Sequence, residues 1–320
     1  MRRHLGLTLA VAGLTLIGLL AGTRPAQATF PGTNGLIAFW AFPTPDASHS
    51  QIFTIEPNGS NLRQITNVDG DTAWPHWSPN GNQLVFELDH PNGTGCSVEL
   101  MNFDGGGLTD LTQDDPNICE NAPSFTPDGS RIIFDRYNGY TNDEGLWTMD
   151  LTGADRHELT PNRCCVGPVI SPDGTRLAFE GFNPNGDGQA IFTCDLAGNT
   201  CGNLHQLTGY SGLCDNPSWA PDSSRILFTE NCDYPDHQSA NVATMKPDGS
   251  GLQVLTQYAG GHTGLINGSY SPDGQWILVR LDQANSSSHG MYMMRPDGTQ
   301  RKLIAELPFK TRFMDWGTHP

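Results

Sequence analysis

Carboxylate and aromatic side chains gather in the irregular segments of this 320-residue chain, between its apolar runs. Carboxylates in such segments could bind a cationic partner or a calcium ion, and a suitably spaced pair could cleave a glycosidic bond. Connecting segments are also where binding residues concentrate. The residues that we select as candidates for a binding face are Asp69, Asp71, Asp114, Asp115, Glu120, Tyr137, Tyr140, Asp187, Asp215, Asp233 and His262.

One of these segments has the alternating oxygen donors of a calcium loop, at Asn183, Asn185 and Asp187. It lacks the distal glutamate of such loops, so a solvated turn is the simpler interpretation and calcium is the alternative. The histidines show no HExxH spacing, and no G-x-S-x-G nucleophile elbow occurs. The sequence therefore assigns no catalytic residue, no other metal ligand and no cofactor apart from that calcium alternative.

A repeated turn sets the framework that must position these residues. The copies are WSPNG at 77–81, FTPDG at 125–129, ISPDG at 170–174, WAPDS at 219–223 and YSPDG at 270–274, with starts 45 to 51 residues apart. Each copy precedes an apolar run such as RIIF from Arg131. Asp-Gly and Asn-Gly favour the positive φ of tight hairpin turns. Because the turn recurs where no shared site could form, we interpret its aspartates as scaffold and not as catalytic groups or metal ligands.

Each unit continues with an alternating strand, a glycine turn and a short strand that ends in most copies in Leu-Thr or Ile-Thr. Six such segments begin at residues 52, 98, 146, 191, 242 and 291. The spacing predicts an all-β chain, a six-bladed β-propeller of four-stranded antiparallel blades that occupies residues 29–320 as one domain. Prolines such as Pro123 fit the innermost strand of each blade, which is a sheet edge.

The two ends of the chain complement each other. Residues 34–39 read as a second strand with no first strand before it, and residues 313–316 read as a first strand with no blade after it. We expect the two to pair and close the ring, so that removal of about the last ten residues destabilises the fold.

The predicted blades suggest which cysteines can form disulfides. All eight follow residue 28, and none forms a CxxC pair, which favours disulfides in an oxidising compartment. Cys194 and Cys201 flank one hairpin turn, Cys214 and Cys232 flank another hairpin, and Cys96 and Cys119 fall in neighbouring loops of one face. The adjacent Cys164 and Cys165 are left for a vicinal bond or a rearranged pairing.

The first 28 residues have the features of a secretory signal. Arg2 and Arg3 precede an apolar stretch at 5–20, and residues 26–28 form an A-x-A cleavage site. The stretch is shorter than a membrane-spanning helix, so we expect a secreted or periplasmic protein without a membrane span. Cleavage would change the formal charge from −17 to −20. Such an excess repels phosphate backbones and argues against a nucleic-acid partner.

The W-S-P-D-G turns, the R-I-A-F-like strands and the later D-G and L-T segments resemble the WD-like β-propeller repeats of the TolB family over residues 35–316. The resemblance implies a six-bladed propeller and, as for TolB itself, a non-enzymatic periplasmic protein that binds partners. The separate α/β domain that precedes the propeller in TolB has no counterpart of sufficient length here.

These observations favour a monomeric binding module that engages a protein, a peptide or an envelope polymer. We expect the partner to bind the loop face, the end of the molecule that carries the loops between successive units and the loops between second and third strands. The alternative is an extracellular carbohydrate hydrolase or lyase that uses loop carboxylates. A cluster of buried acids with shifted pKa values at the mouth of the channel would favour the enzyme.

Overall fold

The structure is a computed structural model that describes residues 30–44, 46–91, 95–112, 117–141, 143–160, 165–184, 188–210, 215–230, 240–258, 263–283 and 289–320. Across these ranges, the elements are β-strands joined by turns and loops. We find no helix in them with the length and apolar character needed to cross a membrane.

The strands follow one another in the rhythm of the sequence repeat. They are β1 (Asn34–Ala41), β2 (Gln51–Ile55), β3 (Arg63–Gln64), β4 (Asp71–Trp77), β5 (Gln83–Asp89), β6 (Cys96–Asn102), β7 (Thr109–Asp110), β8 (Ile118–Phe125), β9 (Arg131–Asn138), β10 (Asp143–Asp150), β11 (His157–Thr160), β12 (Cys165–Ile170), β13 (Arg176–Phe182), β14 (Gln189–Leu196), β15 (Cys201–Gln206), β16 (Asp215–Trp219), β17 (Ile226–Glu230), β18 (Asn241–Met245), β19 (Gln253–Val254), β20 (Thr263–Tyr270), β21 (Ile277–Gln283), β22 (His289–Met294), β23 (Lys302–Leu307) and β24 (Arg312–Thr318).

Four of the sheets are separate four-stranded antiparallel blades. Their strand orders are β24-β1-β2-β3, β12-β13-β14-β15, β16-β17-β18-β19 and β20-β21-β22-β23. The remaining eight strands form a single sheet, in which β4 to β7 and β8 to β11 are two antiparallel groups joined by one parallel bridge between Cys96 and Cys119. The prediction of an all-β chain with four-stranded antiparallel blades is confirmed, and four blades stand as sheets of their own.

The repeated turn owes its shape to its own side chains. In the copy at 170–174, the Ser171 hydroxyl donates to Asp173 Oδ1 at 2.6 Å and accepts the N–H of Arg176 at 2.9 Å. Asp173 Oδ1 also accepts the Thr175 N–H at 3.0 Å, and Gly174 has a φ of +72°. The interpretation of the turn aspartates as scaffold is therefore consistent with where their hydrogen bonds go.

The threonine of the Leu-Thr segments ends the pairing of the outer strand. At Thr160, the hydroxyl accepts the backbone N–H of Leu146 at 3.0 Å, where β11 begins to leave β10. Thr66, Thr112, Thr208 and Thr256 accept the corresponding N–H of their own blades at 2.8 to 3.0 Å. A side-chain oxygen thus satisfies a backbone donor that the departing strand leaves behind.

A bulge in the inner strands corrects one of our expectations. Ala122 has a φ of +45°, and the register of β8 against β9 shifts between Asn121 and Ser124, across Pro123. Because the bulge places the proline where its missing N–H costs nothing, pairing continues on the N-terminal side of it. Four candidates that we expected in loops therefore lie in strands, namely Asp71 in β4, Glu120 in β8, Tyr137 in β9 and Asp215 in β16.

The core consists of apolar clusters between successive sheets. Phe86 and Trp77 pack against Ile52 of the neighbouring blade, and Trp219 of β16 packs against Val169 of β12. Clusters of the same kind lie at the other interfaces. One of them joins β20 to β23 with the blade of the two chain ends, in which β24 pairs with β1 in antiparallel register.

Two disulfides confirm the pairings expected from the frame. Cys194 and Cys201 are bonded across their hairpin, and Cys96 is bonded to Cys119 beside the parallel bridge. Cys165 is buried, with the Thr160 hydroxyl 3.7 Å from its sulfur. Cys164, Cys214 and Cys232 lie outside the described residues.

Candidate functional site

A small cavity lies between the innermost strands. The cavity there has a volume of about 30 Å³, which leaves room for about two water molecules. Its lining includes the polar groups His76, Ser124, Ser218 and Asp315, the apolar rings Trp77, Phe125, Trp219 and Trp316, and Phe30 from the segment that precedes β1. A ligand larger than water therefore has to meet the molecule outside this cavity.

A histidine and an aspartate link β4 and β24 beside the cavity. His76 Nδ1 lies 3.4 Å from Asp315 Oδ2, which also accepts the Trp77 N–H at 3.0 Å. Burial alone would raise the pKa of Asp315, but His76 and hydrogen bonds from Trp77 N–H and the Ser269 hydroxyl hold that pKa below its usual value. The carboxylate thus links β24 to β4 of the neighbouring strand group.

A second set of acids lies between blades, each directly after the phenylalanine of a second strand. Glu87 Oε2 accepts the N–H of Ala122 in the next group of strands at 3.4 Å, and Glu180 Oε1 accepts the N–H of Asn216 at 2.8 Å. Ala122 and Asn216 are the positive-φ residues of their bulges. These carboxylates therefore satisfy the donors that the bulges turn away from their own sheets.

Their surroundings disfavour the charged form. Burial raises the pKa of Glu87 to about 7, with Asp89 adding to the effect and the Ala122 N–H opposing it. Burial and the neighbouring Asp215 carboxylate raise the pKa of Glu180 well above its usual value. A recurrent acid after Phe86, Phe134 and Phe179, inside apolar strands, is a signal of buried carboxylates that our reading of the sequence missed.

Asp135 is the third member of this set, and it is 1% exposed. Its Oδ1 and the Oδ1 of its cross-strand partner Asn121 are buried acceptors without a hydrogen-bond donor in the described structure. Burial raises the pKa of Asp135 to about 9, with contributions from Glu144 and Glu87. The carboxyl is therefore protonated at neutral pH, when it can donate to an acceptor that would otherwise be unsatisfied.

Asp135→Asn is expected to flatten the pH dependence of stability above neutral pH. A carboxyl whose pKa is raised on folding stabilises the fold least when ionised, so its contribution is lost as pH rises from about 4 towards about 9. The free energy of unfolding of the wild type should fall by up to about 1.4 kcal/mol per pH unit because of this group. The amide variant should show no such decrease from this position. Urea unfolding at a series of pH values measures the slope.

Asp173→Asn is the matched control for that experiment. Partial burial would raise the pKa of Asp173, but hydrogen bonds from Ser171 and Thr175 lower it. Its contribution is therefore lost as pH falls, which is the opposite sign. An unchanged slope above pH 7 in Asp135→Asn would contradict the assignment of a protonated carboxyl.

Glu120 is held inside an ion-pair network. Its Oε1 lies 3.1 Å from Arg136 Nε and 3.0 Å from Arg156 Nη1, and its side chain is 3% exposed. Burial raises its pKa, while the two arginines and the Thr112 hydroxyl lower it. Arg156 also donates to the carbonyls of Leu111 and Thr112. This candidate therefore joins two groups of strands and does not present its carboxylate to solvent.

Asp69 and Asp71 come together around His49. The imidazole Nε2 lies 3.4 Å from Asp69 and Nδ1 lies 3.8 Å from Asp71, and Asp71 also accepts the Ser50 N–H at 2.7 Å. Asp215 lies at the start of β16, beside Glu180, and accepts the Asn216 amide at 3.1 Å. The structure thus brings Asp69 and Asp71 together around one histidine, whereas Asp215 belongs to a different strand group.

Tyr137 and Tyr140 are two candidates with exposed aromatic side chains. They occupy the β9–β10 connection and its approach, and their exposed fractions are 39% and 64%. The Tyr140 hydroxyl accepts the Asn117 amide at 2.7 Å, which tethers the end of the side chain. Asp143 and Glu144 follow on the same hairpin.

Several candidates lie outside the described residues, namely Asp114, Asp115, Asn185, Asp187, Asp233 and His262. Asn183 is described, and its backbone N–H donates to the Gly188 carbonyl at 3.0 Å. Within the ranges described, no three His, Cys, Asp or Glu side chains are grouped so that they could hold a metal ion.

Comparison with solved structures places the fold. TolB from Acinetobacter baumannii matches 89% of this chain and 67% of its own, with a TM-score of 0.69 and 17% identity. A putative TolB from Agrobacterium tumefaciens matches 89% of this chain and 99% of its own, with a TM-score of 0.64 and 16% identity. A nidogen/laminin complex matches 88% and 97%, with a TM-score of 0.62 and 12% identity. At these identities the likeness establishes the propeller fold alone.

A relative found by sequence is an uncharacterized protein from Agrobacterium fabrum, 33% identical over 96 residues. The match spans 27% of this chain and 32% of that protein, so it covers about a third of the relative's length. The model of the family described as the TolB beta propeller domain matches residues 113–319, which is well over half of the chain. The chain therefore belongs to the TolB β-propeller domain family.

Proposed function

We propose that this protein is an exported, non-catalytic propeller that binds a protein or peptide on its loop face. The observation that carries the proposal is the exposure of two tyrosine side chains on one loop-face hairpin, 39% for Tyr137 and 64% for Tyr140. The exposed rings of Tyr137 and Tyr140 supply contact area there, since tyrosine is enriched at interfaces. A formal charge of −17 favours a partner with a basic surface.

The proposed architecture is a closed ring of six blades in one domain, residues 29–320. The eight-stranded sheet divides into two antiparallel groups of four that touch at one parallel bridge, and the apolar clusters join each group to the next one around the ring. The β1–β24 pairing supports closure by the two chain ends. Export through a cleaved signal at 1–28 is supported by the two disulfides, which persist in oxidising compartments.

Capture of partners on the exported protein tests the binding proposal. The wild type and a Tyr137→Ser, Tyr140→Ser double variant are cross-linked in an envelope extract of the producing cell, and the captured partner is then purified and titrated. We expect the double variant to bind at least about tenfold more weakly, because two aromatic contacts are lost.

Leu252→Ser is the matched control, since Leu252 is 52% exposed on another blade, just before its outer strand β19. Equal affinity of the double variant and the control would refute a loop-face site at the tyrosines. A partner that binds both wild type and the double variant equally, with loss in Leu252→Ser, would move the site to the outer strand.

A carbohydrate hydrolase or lyase is the second candidate function. The observation in its favour is the pKa of Glu87, raised to about 7, in the range of a general acid or base. Against it, the Glu87 carboxylate already accepts the bulge N–H of Ala122. Turnover of a polysaccharide by the wild type that is lost in Glu87→Gln, with an unchanged melting temperature, would establish the enzyme. Loss of turnover together with a lower melting temperature would not, because unfolding would explain it.

A further inference from the structure

A groove opens on the turn face, the side of the molecule that carries the repeated turns. It lies between the turn at 219–223, the turn at 270–274 and the segment before β1, and its volume is about 640 Å³. This size is typical of small-ligand sites. Every residue that lines it is described, and none belongs to the loop face discussed above.

Arg225 lines this groove and differs from its equivalents in other blades. The arginine at the same position of the repeat pairs with a carboxylate in two of them, Arg131 with Asp155 at 2.6 Å and Arg176 with Asp195 at 3.6 Å. Arg225 instead donates through Nε to Thr244 Oγ1 and through Nη2 to the carbonyls of Thr244 and Gly251.

The consequence is a fixed positive charge without a matching carboxylate. Among the described residues, Arg225 forms no ion pair, and its Nη1 makes no hydrogen bond. Three hydrogen bonds hold the guanidinium in place, so little side-chain entropy is lost when a ligand binds. A guanidinium with two available N–H donors is suited to a carboxylate.

The other groups that line the groove are suited to bind the hydroxyls and the C–H faces of a polyol. Asp222 uses Oδ1 to accept the Ser224 N–H and hydroxyl, and its second oxygen is an acceptor for ligand hydroxyls. Gln275 is exposed at the rim, where its Oε1 accepts from Arg295 Nη1 at 3.3 Å and its amide NH₂ is a donor for ligand hydroxyls. Four proline rings, Pro31, Pro221, Pro272 and Pro296, give the groove rigid apolar walls.

We propose that this groove binds a short oligosaccharide of uronic acid units, which carries one carboxylate and several hydroxyls per ring. The carboxylate pairs with Arg225, the hydroxyls donate to Asp222 and bond to Gln275, and the C–H faces of the sugar rings pack on the prolines. An acidic peptide or a sulfated chain fits less well, because Asp222 and Asp273 repel a ligand that brings only negative charge.

Calorimetric titration of the exported protein with two matched sugars tests the proposal. The probes are a tetramer of β-1,4-linked glucuronate and cellotetraose. They differ only at C6 of each ring, which is a carboxylate in the first and a hydroxymethyl group in the second. We expect the glucuronate tetramer to bind more tightly, and Arg225→Gln to weaken it by about tenfold or more. Arg131→Gln, the same substitution at a paired position, should leave its affinity unchanged.

Two further variants keep the test informative if Arg225→Gln impairs folding. Gln275→Trp fills the rim without touching the bonds of Arg225 and should abolish binding. Asp222→Asn should weaken the glucuronate tetramer, whose hydroxyls lose a charged acceptor, but should strengthen a tetraglutamate peptide. Equal affinity for the two sugars, an equal loss in Arg131→Gln, or tighter binding of tetraglutamate would each overturn the proposal. Binding at the tyrosines of the loop face is unaffected by any of these results.

Discussion

Deletion of residues 311–320 is expected to abolish the cooperative unfolding transition. The deletion removes β24, the strand that pairs with β1, and with it Met314 and Trp316, which are 1% and 2% exposed. It also removes Asp315, which accepts the Trp77 N–H in the neighbouring strand group. Circular dichroism during heating and near-ultraviolet spectra measure the effect, which should be loss of a single sharp transition.

Trp316→Ala isolates the packing contribution within that strand. The indole is buried and its Nε1 donates to the Gly35 carbonyl at 3.2 Å. Truncation of a buried tryptophan costs about 3–5 kcal/mol, so the melting temperature should fall steeply while the fold persists. Deletion of residues 319–320 alone serves as the control, because both are exposed. A deletion of 311–320 that melts as the wild type does would refute closure by the chain ends.

Gly153→Ala is expected to be far more destabilising than Gly174→Ala, although both glycines have positive φ, +79° and +72°. A Cβ on Gly153 would overlap the carbonyl oxygen of Leu111 in the preceding strand group, whereas a Cβ on Gly174 would meet nothing within 4 Å. Strain alone costs about 1–2 kcal/mol for a non-glycine residue in this region. The overlap adds to that cost in Gly153→Ala, because backbone atoms must move apart.

Urea denaturation of the two variants measures the difference. We expect Gly174→Ala to lose about 1–2 kcal/mol and Gly153→Ala to lose at least about twice that, with an unchanged m-value. A Cβ on Gly105 or Gly298 would likewise lie only 2.5 Å from a carbonyl oxygen of the preceding unit, that of Ile65 or Leu255. Equal losses in the two alanine variants would show that turn strain, and not packing of one blade on the next, decides the cost.

Binding residues were harder to predict than scaffold residues. Glu120 has the residue type and the place in the repeat that we expected of a binding acid, yet Arg136 and Arg156 form ion pairs with it. Arg156 follows Glu120 by 36 residues, so no local pattern connects them. Tyr137 and Tyr140, by contrast, are exposed because they belong to a hairpin end, and a hairpin end is visible in the sequence.

The sequence by itself determined the turns and the strand succession, and it indicated two disulfide pairings that the structure confirms. Ser171, Asp173 and Gly174 act on atoms within five residues of themselves, so their types are sufficient to specify the turn. Cys194 and Cys201 are seven residues apart on one hairpin, and the repeat placed Cys96 and Cys119 in adjoining loops.

Only the tertiary structure decided which polar groups serve the fold and which remain available. The acids Glu87 and Glu180 accept bulge N–H groups 35 and 36 residues further along the chain, and the bulges themselves arise from pairing around a proline. Likewise, Arg131 and Arg225 hold the same place in the repeat, but within the described part of the chain Arg131 pairs with a carboxylate and Arg225 does not. Repeats specify each blade through local contacts, whereas these contacts between blades join residues 35 or more positions apart, which no local pattern connects.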